Sequence, residues 1–220
     1  MWNRTEKVSA EVFLNLFLET LKSTEQETIN KYKDLTRWTE YLADKIEEIL
    51  RGLNLKTNRE YFRIDIIGWS GNKEWDDNSE KGYKQNIGHE KCTKNSDVKL
   101  NEYNWNLEVA VEYENNPEDW MDEVIKLCHV KCGLKVVIGY SAYDSAFEED
   151  GTFDDAHHKM HLVLKNIYEL EYAGIGENEQ MLIILGDVGK DEYKDLESLH
   201  FRAYLLSTKD GVVMWERILH

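Results

Sequence analysis

The sequence predicts an α/β domain, a central mixed β-sheet flanked by helices, with helices leading in and a β-hairpin closing the chain. Three observations carry this expectation. Apolar residues recur at helical spacing through the first fifty positions, short β-branched and aromatic runs follow, and two continuous apolar runs are separated by another helical stretch. At 220 residues the chain can bury one core of fair size, and a single Pro with 13 Gly leaves little room for long linkers. We therefore read 1–220 as a single domain. Residues 1–52 are helices packing on the core, 61–140 are the core with an insertion at 70–104, and 141–220 are a helix, strand and hairpin extension.

The elements follow in order. Ala10, Phe13, Leu14, Phe17, Leu18 and Leu21 mark one helical stripe; Trp38, Tyr41, Leu42, Ile46, Ile49 and Leu50 mark a second, with Gly52 at its stop. The period then changes. Tyr61 to Trp69 reads as a strand that carries Asp65 between Ile64 and Ile66. Residues 70–104 are polar and aperiodic, which is the pattern of a long loop or insertion. From Trp105 to Glu114, Leu107, Val109, Val111 and Tyr113 alternate with Glu108, Ala110, Glu112 and Glu114, so acids and apolar residues leave opposite faces of a strand.

Asn116, Pro117, Glu118 and Asp119 form a helix-start pattern, and the helix runs through Trp120, Met121, Val124, Leu127 and Cys128 to a stop at Gly133. Lys135–Tyr140 and Met181–Gly186 read as buried strands, with a helix over about 154–171 between them. That order implies a parallel pair. Phe201–Ser207 and Val212–Ile218 flank Lys209-Asp210-Gly211 as a hairpin.

Composition narrows the function classes. Asp and Glu number 43 against 27 Lys and Arg, a net charge of −16, with no evident basic stripe of the kind that nucleic-acid binding normally draws on. No apolar run reaches the roughly 18 residues of a membrane span, so no membrane association is expected. Met1-Trp2-Asn3-Arg4 does not open a secretory leader. Cys92, Cys128 and Cys132 are odd in number and loosely spaced, which favours a reducing compartment and a cytoplasmic location.

The concentrated chemical signal is a set of strand-borne acids. Glu112 and Glu114, two apart, leave the same face roughly 6.5–7 Å from each other. If the strand of Asp65 pairs with theirs, its carboxylate joins them. Three gathered carboxylates repel one another unless a cation shares them, and hard oxygen donors suit Mg²⁺ or Mn²⁺. Such an ion can acidify a bound water and neutralise charge on a phosphoryl group.

Arg63-Ile64-Asp65-Ile66-Ile67, Leu107 to Glu114, the following helix and Val136-Val137-Ile138-Gly139 resemble the core of the PD-(D/E)xK restriction-endonuclease-like nucleases over about residues 35–140. The helix ending Glu47-Glu48-Ile49-Leu50 matches the family's first core helix, which often carries an extra acid. The resemblance implies a metal-dependent nuclease acting on DNA, with Asp65, Glu112 and Glu114 as catalytic carboxylates and ligands of Mg²⁺ or Mn²⁺, and with a homodimer as its common assembly. This chain departs from the pattern in having no Pro before Asp65 and Glu114 where the motif has Lys, an E-x-E variant. Lys126 or Lys131 on the next helix is then the expected replacement cation. The alternative is a non-catalytic member of the fold, an acidic interaction protein or DNA mimic that engages a basic protein partner.

Other patterns carry less. Asp97-Val98-Lys99 is a literal D-x-K in polar surroundings. His157 and His161 share a helical face but lack the H-E-x-x-H pattern, and read as surface histidines. Cys128, Cys132, His89 and Cys92 are spaced irregularly for zinc. Gly186-Asp187-Val188-Gly189-Lys190 reads as a turn rather than a phosphate loop, and Tyr61, Trp69, Trp75, Tyr103, Trp105 and Trp120 as mostly core rather than base-stacking platforms.

Overall fold

A computed structural model describes residues 8–61, 63–71, 105–141, 155–170, 174–187 and 193–219. Within them lie five α-helices and seven strands in one mixed sheet. The helices are α1 (Ala10–Ser23), α2 (Glu25–Tyr32), α3 (Leu35–Gly52), α4 (Trp120–Cys128) and α5 (Asp155–Glu169). The strands are β1 (Lys56–Tyr61), β2 (Ile64–Gly71), β3 (Trp105–Tyr113), β4 (Leu134–Tyr140), β5 (Gln180–Gly186), β6 (Arg202–Lys209) and β7 (Val212–Leu219).

Strand order in space follows strand order in sequence. β1–β2–β3 form an antiparallel meander, β3–β4–β5 are parallel, and β6 and β7 return antiparallel. The expected parallel pairing of 135–140 with 181–186 is present, with Val136 opposite Leu182 and Ile138 opposite Ile184. Parallel neighbours need a crossover, and α4 and α5 supply the helical ones. Both cover one face of the sheet, burying Trp120, Val124, Met160 and Val163 against Ala110, Val137 and Ile183. Helices α1–α3 cover the other, packing Phe13, Phe17, Trp38 and Ile46 against Val109, Val111, Val136 and Leu182. A sheet covered on both sides explains why β4 and β5 are buried along their length and read as largely apolar runs.

Local chemistry sets the boundaries. Ser9 and Asp34 cap α1 and α3 by accepting the N–H groups of Val12 and Arg37. Three elements differ from the sequence expectation. The run read as one strand from Tyr61 to Trp69 is divided, with Tyr61 closing β1 and pairing antiparallel with Ile64 at the start of β2. The N-terminal region holds three helices rather than two, because polar α2, anchored by Thr28, Ile29 and Tyr32, sits between the apolar stripes. β1 was not anticipated: Lys-Thr-Asn-Arg-Glu-Tyr is a charged edge strand, and Arg59 lies against Asp44 and Glu47 of α3.

The helix start also shifts. Asn116 accepts the N–H of Glu118 and Asp119 bonds back to the Asn116 carbonyl, so Pro117 stands in a turn and regular helix begins at Trp120. The hairpin turn follows the expected chemistry, with Asp210 and Gly211 both at positive φ, 52° and 77°.

Gly139 fixes the seat of α4. A Cβ there would lie 2.7 Å from the Cβ of Trp120, an atom that cannot swing away. Gly139→Ala is therefore expected to destabilise the fold by about 1–3 kcal/mol through overpacking, read as a fall in the urea midpoint with an unchanged slope.

Candidate active site

The site is built where β2 and β3 part. Their ladder runs as far as Ile66 opposite Val111, which sets Asp65 across from Glu112 at the next position. There the backbone pairing gives way to a side chain: Asp65 Oδ2 accepts the N–H of Tyr113 at 2.8 Å. Glu112 and Ala110 leave the same face of β3, and Ala110 packs among the α4 and α5 residues, so the Glu112 carboxyl lies under α4. It is 1% exposed.

Lys126 of α4 reaches down to it, with Nζ 2.8 Å from Glu112 Oε1, and pairs on its other side with Glu123 Oε2 at 2.7 Å. The Lys126 side chain is 36% exposed and lies over the buried acid. Asp65, Glu112, Lys126 and Glu123 thus form one continuous cluster running from the sheet to solvent.

Burial controls its titration. Removal from water raises Glu112 to about 8; Lys126 opposes that shift and the Asp65 charge adds to it. Asp65 is raised as well, first by burial, while the Tyr113 N–H and a hydrogen bond with Glu112 hold it down. Burial thus raises both acids, and the hydrogen bond between them lowers Asp65 without offsetting its burial. Burial by itself would lower Lys126, but its bonds to Glu112 and Glu123 outweigh that and leave it raised. Tyr113 is pushed up to about 12 by burial and the nearby carboxylates.

The structure sorts the expected residues. Asp65, Glu112 and Lys126 come together. Glu114 lies just past the end of β3, where its backbone N–H pairs with the Ile138 carbonyl and its carboxylate accepts the N–H of Asn116 at 2.8 Å. It holds the turn into α4. Lys131 is exposed beyond the C-terminus of α4, near Leu134, which pairs with Val109 rather than Glu112. Glu47 on α3 bonds Thr57 and Arg59 of β1. Asp97-Val98-Lys99, His89 and Cys92 lie outside the described residues.

Cys128 and Cys132 are buried, and burial raises their thiols to about 11 and about 12, so neither offers a thiolate. Trp120 is fully buried, while Tyr61 and Trp69 pack against the α4 and α5 side of the core. Gly186 sits against Tyr32, where a Cβ would collide with the phenol oxygen.

Two acids were missed by sequence reasoning. Glu123 is one helical turn before Lys126, a spacing that pairs them on any helix. Glu60 acts electrostatically on Asp65 from β1, which was not recognised as a strand. Among the described residues no group of three or more Asp, Glu, His or Cys is arranged to hold a metal ion, and no helix is long and apolar enough to cross a membrane. No family model matches the chain, and no curated protein or solved structure is significantly similar to it.

Proposed function

We propose that the chain is a restriction-endonuclease-like, metal-dependent nuclease that hydrolyses phosphodiester bonds in DNA. The observation that carries this reading is the meeting of Asp65 and Glu112 from paired strands with Lys126 from the following helix. The order α3–β1–β2–β3–α4–β4, a three-stranded meander followed by a helical crossover to a parallel strand, agrees with it. The E-x-E sequence then has a physical consequence. Glu114 is occupied at the helix-start turn, and the ammonium that the motif lacks on β3 is supplied by Lys126.

Two facing carboxyls on β2 and β3, one of them almost wholly buried, fit a small hard cation such as Mg²⁺ or Mn²⁺, for which Asp65 and Glu112 would be the oxygen donors. When bound, that ion supplies charge neutralisation on the phosphoryl group and acidification of a water. The chain's own residues do the rest. Glu112 must give up its proton to act as a donor, and Lys126, half in solvent, is placed to hold the scissile phosphate or orient the attacking water at Nζ.

The test is cleavage of varied DNA and RNA substrates with Mg²⁺ or Mn²⁺, together with calorimetric titration of the metal. Cleavage that vanishes in Asp65→Ala is the expected result. No cleavage by the wild type together with no bound metal would defeat the proposal. The net charge of −16 favours a second reading, a non-catalytic relative that binds a basic protein partner. There Asp65→Ala would leave salt-sensitive partner binding nearly intact.

A further inference from the structure

We infer that His157 and His161 form a second, independent metal site, a surface pair of imidazoles that takes a borderline divalent cation, with zinc as its natural occupant. They stand four residues apart in the first turns of α5, and their Nε2 atoms face each other at 3.1 Å. Two imidazole nitrogens bound to one tetrahedral zinc at about 2.0–2.1 Å are roughly 3.3 Å apart. The nitrogen separation is therefore within a few tenths of an ångström of that around a shared ion, and a turn of each ring would aim both lone pairs at it. Without one, the two nitrogens satisfy a single bond between them, one presenting N–H and the other its lone pair. A shared cation engages both lone pairs.

The rings are held from the side. Trp215 on β7 meets both edge-on, with centroid distances of 4.8 Å to His157 and 5.8 Å to His161. β7 is in turn tied to α5 by the Tyr168 hydroxyl, which donates to the Val213 carbonyl at 2.7 Å. The adjoining stripe of α5, Ala156, Met160 and Val163, is buried in the core, so the helix cannot rotate the pair away. Rings fixed before binding lose little freedom on binding.

The donor chemistry separates this site from the one on β2 and β3. Imidazole suits Zn²⁺, Ni²⁺ and Cu²⁺, whereas a carboxylate pair suits Mg²⁺ or Mn²⁺. Two protein ligands leave the remaining positions to water or to a donor atom of an incoming ligand. His158 is exposed and, although it stands one turn before His161, the recorded ring contact joins only His157 and His161, so its variant serves as an internal control.

The experiment is calorimetric titration of Zn²⁺ and Ni²⁺ into the full chain in excess Mg²⁺, with tryptophan emission recorded during the Ni²⁺ titration. One equivalent is expected to bind and to quench part of the emission. His157→Gln and His161→Gln should each weaken binding by about tenfold or more and remove that quenching, while His158→Gln leaves both unchanged. His161 is exposed, so its variant keeps the test decisive even if His157→Gln fails to fold. Failure of the wild type to take up Zn²⁺ or Ni²⁺, or wild-type affinity in His161→Gln, would overturn the assignment. Loss of Zn²⁺ binding with unchanged Mg²⁺ binding keeps it distinct from the nuclease proposal.

Discussion

A Glu112→Gln variant is expected to lose metal-dependent cleavage by about a hundredfold or more and, without metal, to be more stable than the wild type at alkaline pH. The two effects have opposite signs because they draw on the same burial. Unfolded, the carboxyl releases its proton near the ordinary value of 4.5; folded, it keeps it to about 8. Between those values the folded chain binds the proton more tightly than the unfolded chain. This contribution to stability is therefore whole below 4.5 and is lost as pH rises through about 8. From pH 6 to pH 9, with EDTA present, the loss is on the order of 2 kcal/mol.

Gln has the same shape and no charge at any pH, so the variant should lack this slope. Urea midpoints at pH 6 and pH 9 for both proteins measure it. A wild type insensitive to pH over that range, or a variant weaker than it at pH 9, would mean that the Lys126 ion pair stabilises an ionised Glu112. That outcome would reverse the account of the site's electrostatics.

What the sequence made legible follows from period and chain order. β3 alternates cleanly, so the residues that share a face could be named, and the β2–β3 pairing needed to bring Asp65 to Glu112 is present. β4, β5 and the hairpin were legible because apolar runs and a turn with positive φ leave few alternatives. β1 was not, since an edge strand held by Arg59 to α3 has no apolar signature. Glu114 shows the other limit. Strand period sets its initial direction, but it lies one residue past the last ladder position, where a neighbouring backbone N–H decides where a carboxylate goes. Lys126 could be named as a candidate and not distinguished from Lys131, because that choice depends on how far α4 extends before it stops.

Lys135 exposes a further gap between pattern and packing, and it predicts the largest loss of stability. The run from Lys135 to Tyr140 reads as a buried strand, but its apolar pattern does not show what receives the ammonium at its start. Lys135 is wholly buried in the fourth of seven strands, between Ala110 of β3 and Met181 of β5. Its Nζ donates to Glu179 Oε2 at 2.7 Å and to the Gly174 carbonyl at 3.0 Å. Glu179 Oε2 also accepts the N–H of Gly176, so a single ammonium organises the chain segment that enters β5.

Lys135→Met keeps the length and apolar bulk of the side chain but leaves a partly buried carboxylate and a carbonyl without their donor. The expected cost is about 3 kcal/mol, the lower end for a broken buried pair because Glu179 keeps some contact with water. Adding Glu179→Gln should recover a large part of that loss, since most of it comes from the stranded charge rather than from the contact itself. Chemical denaturation of the wild type, both single variants and the double variant would close the cycle. If Lys135→Met costs less than about 1 kcal/mol, or the second substitution adds its own penalty, the ammonium is not what holds this segment to the sheet.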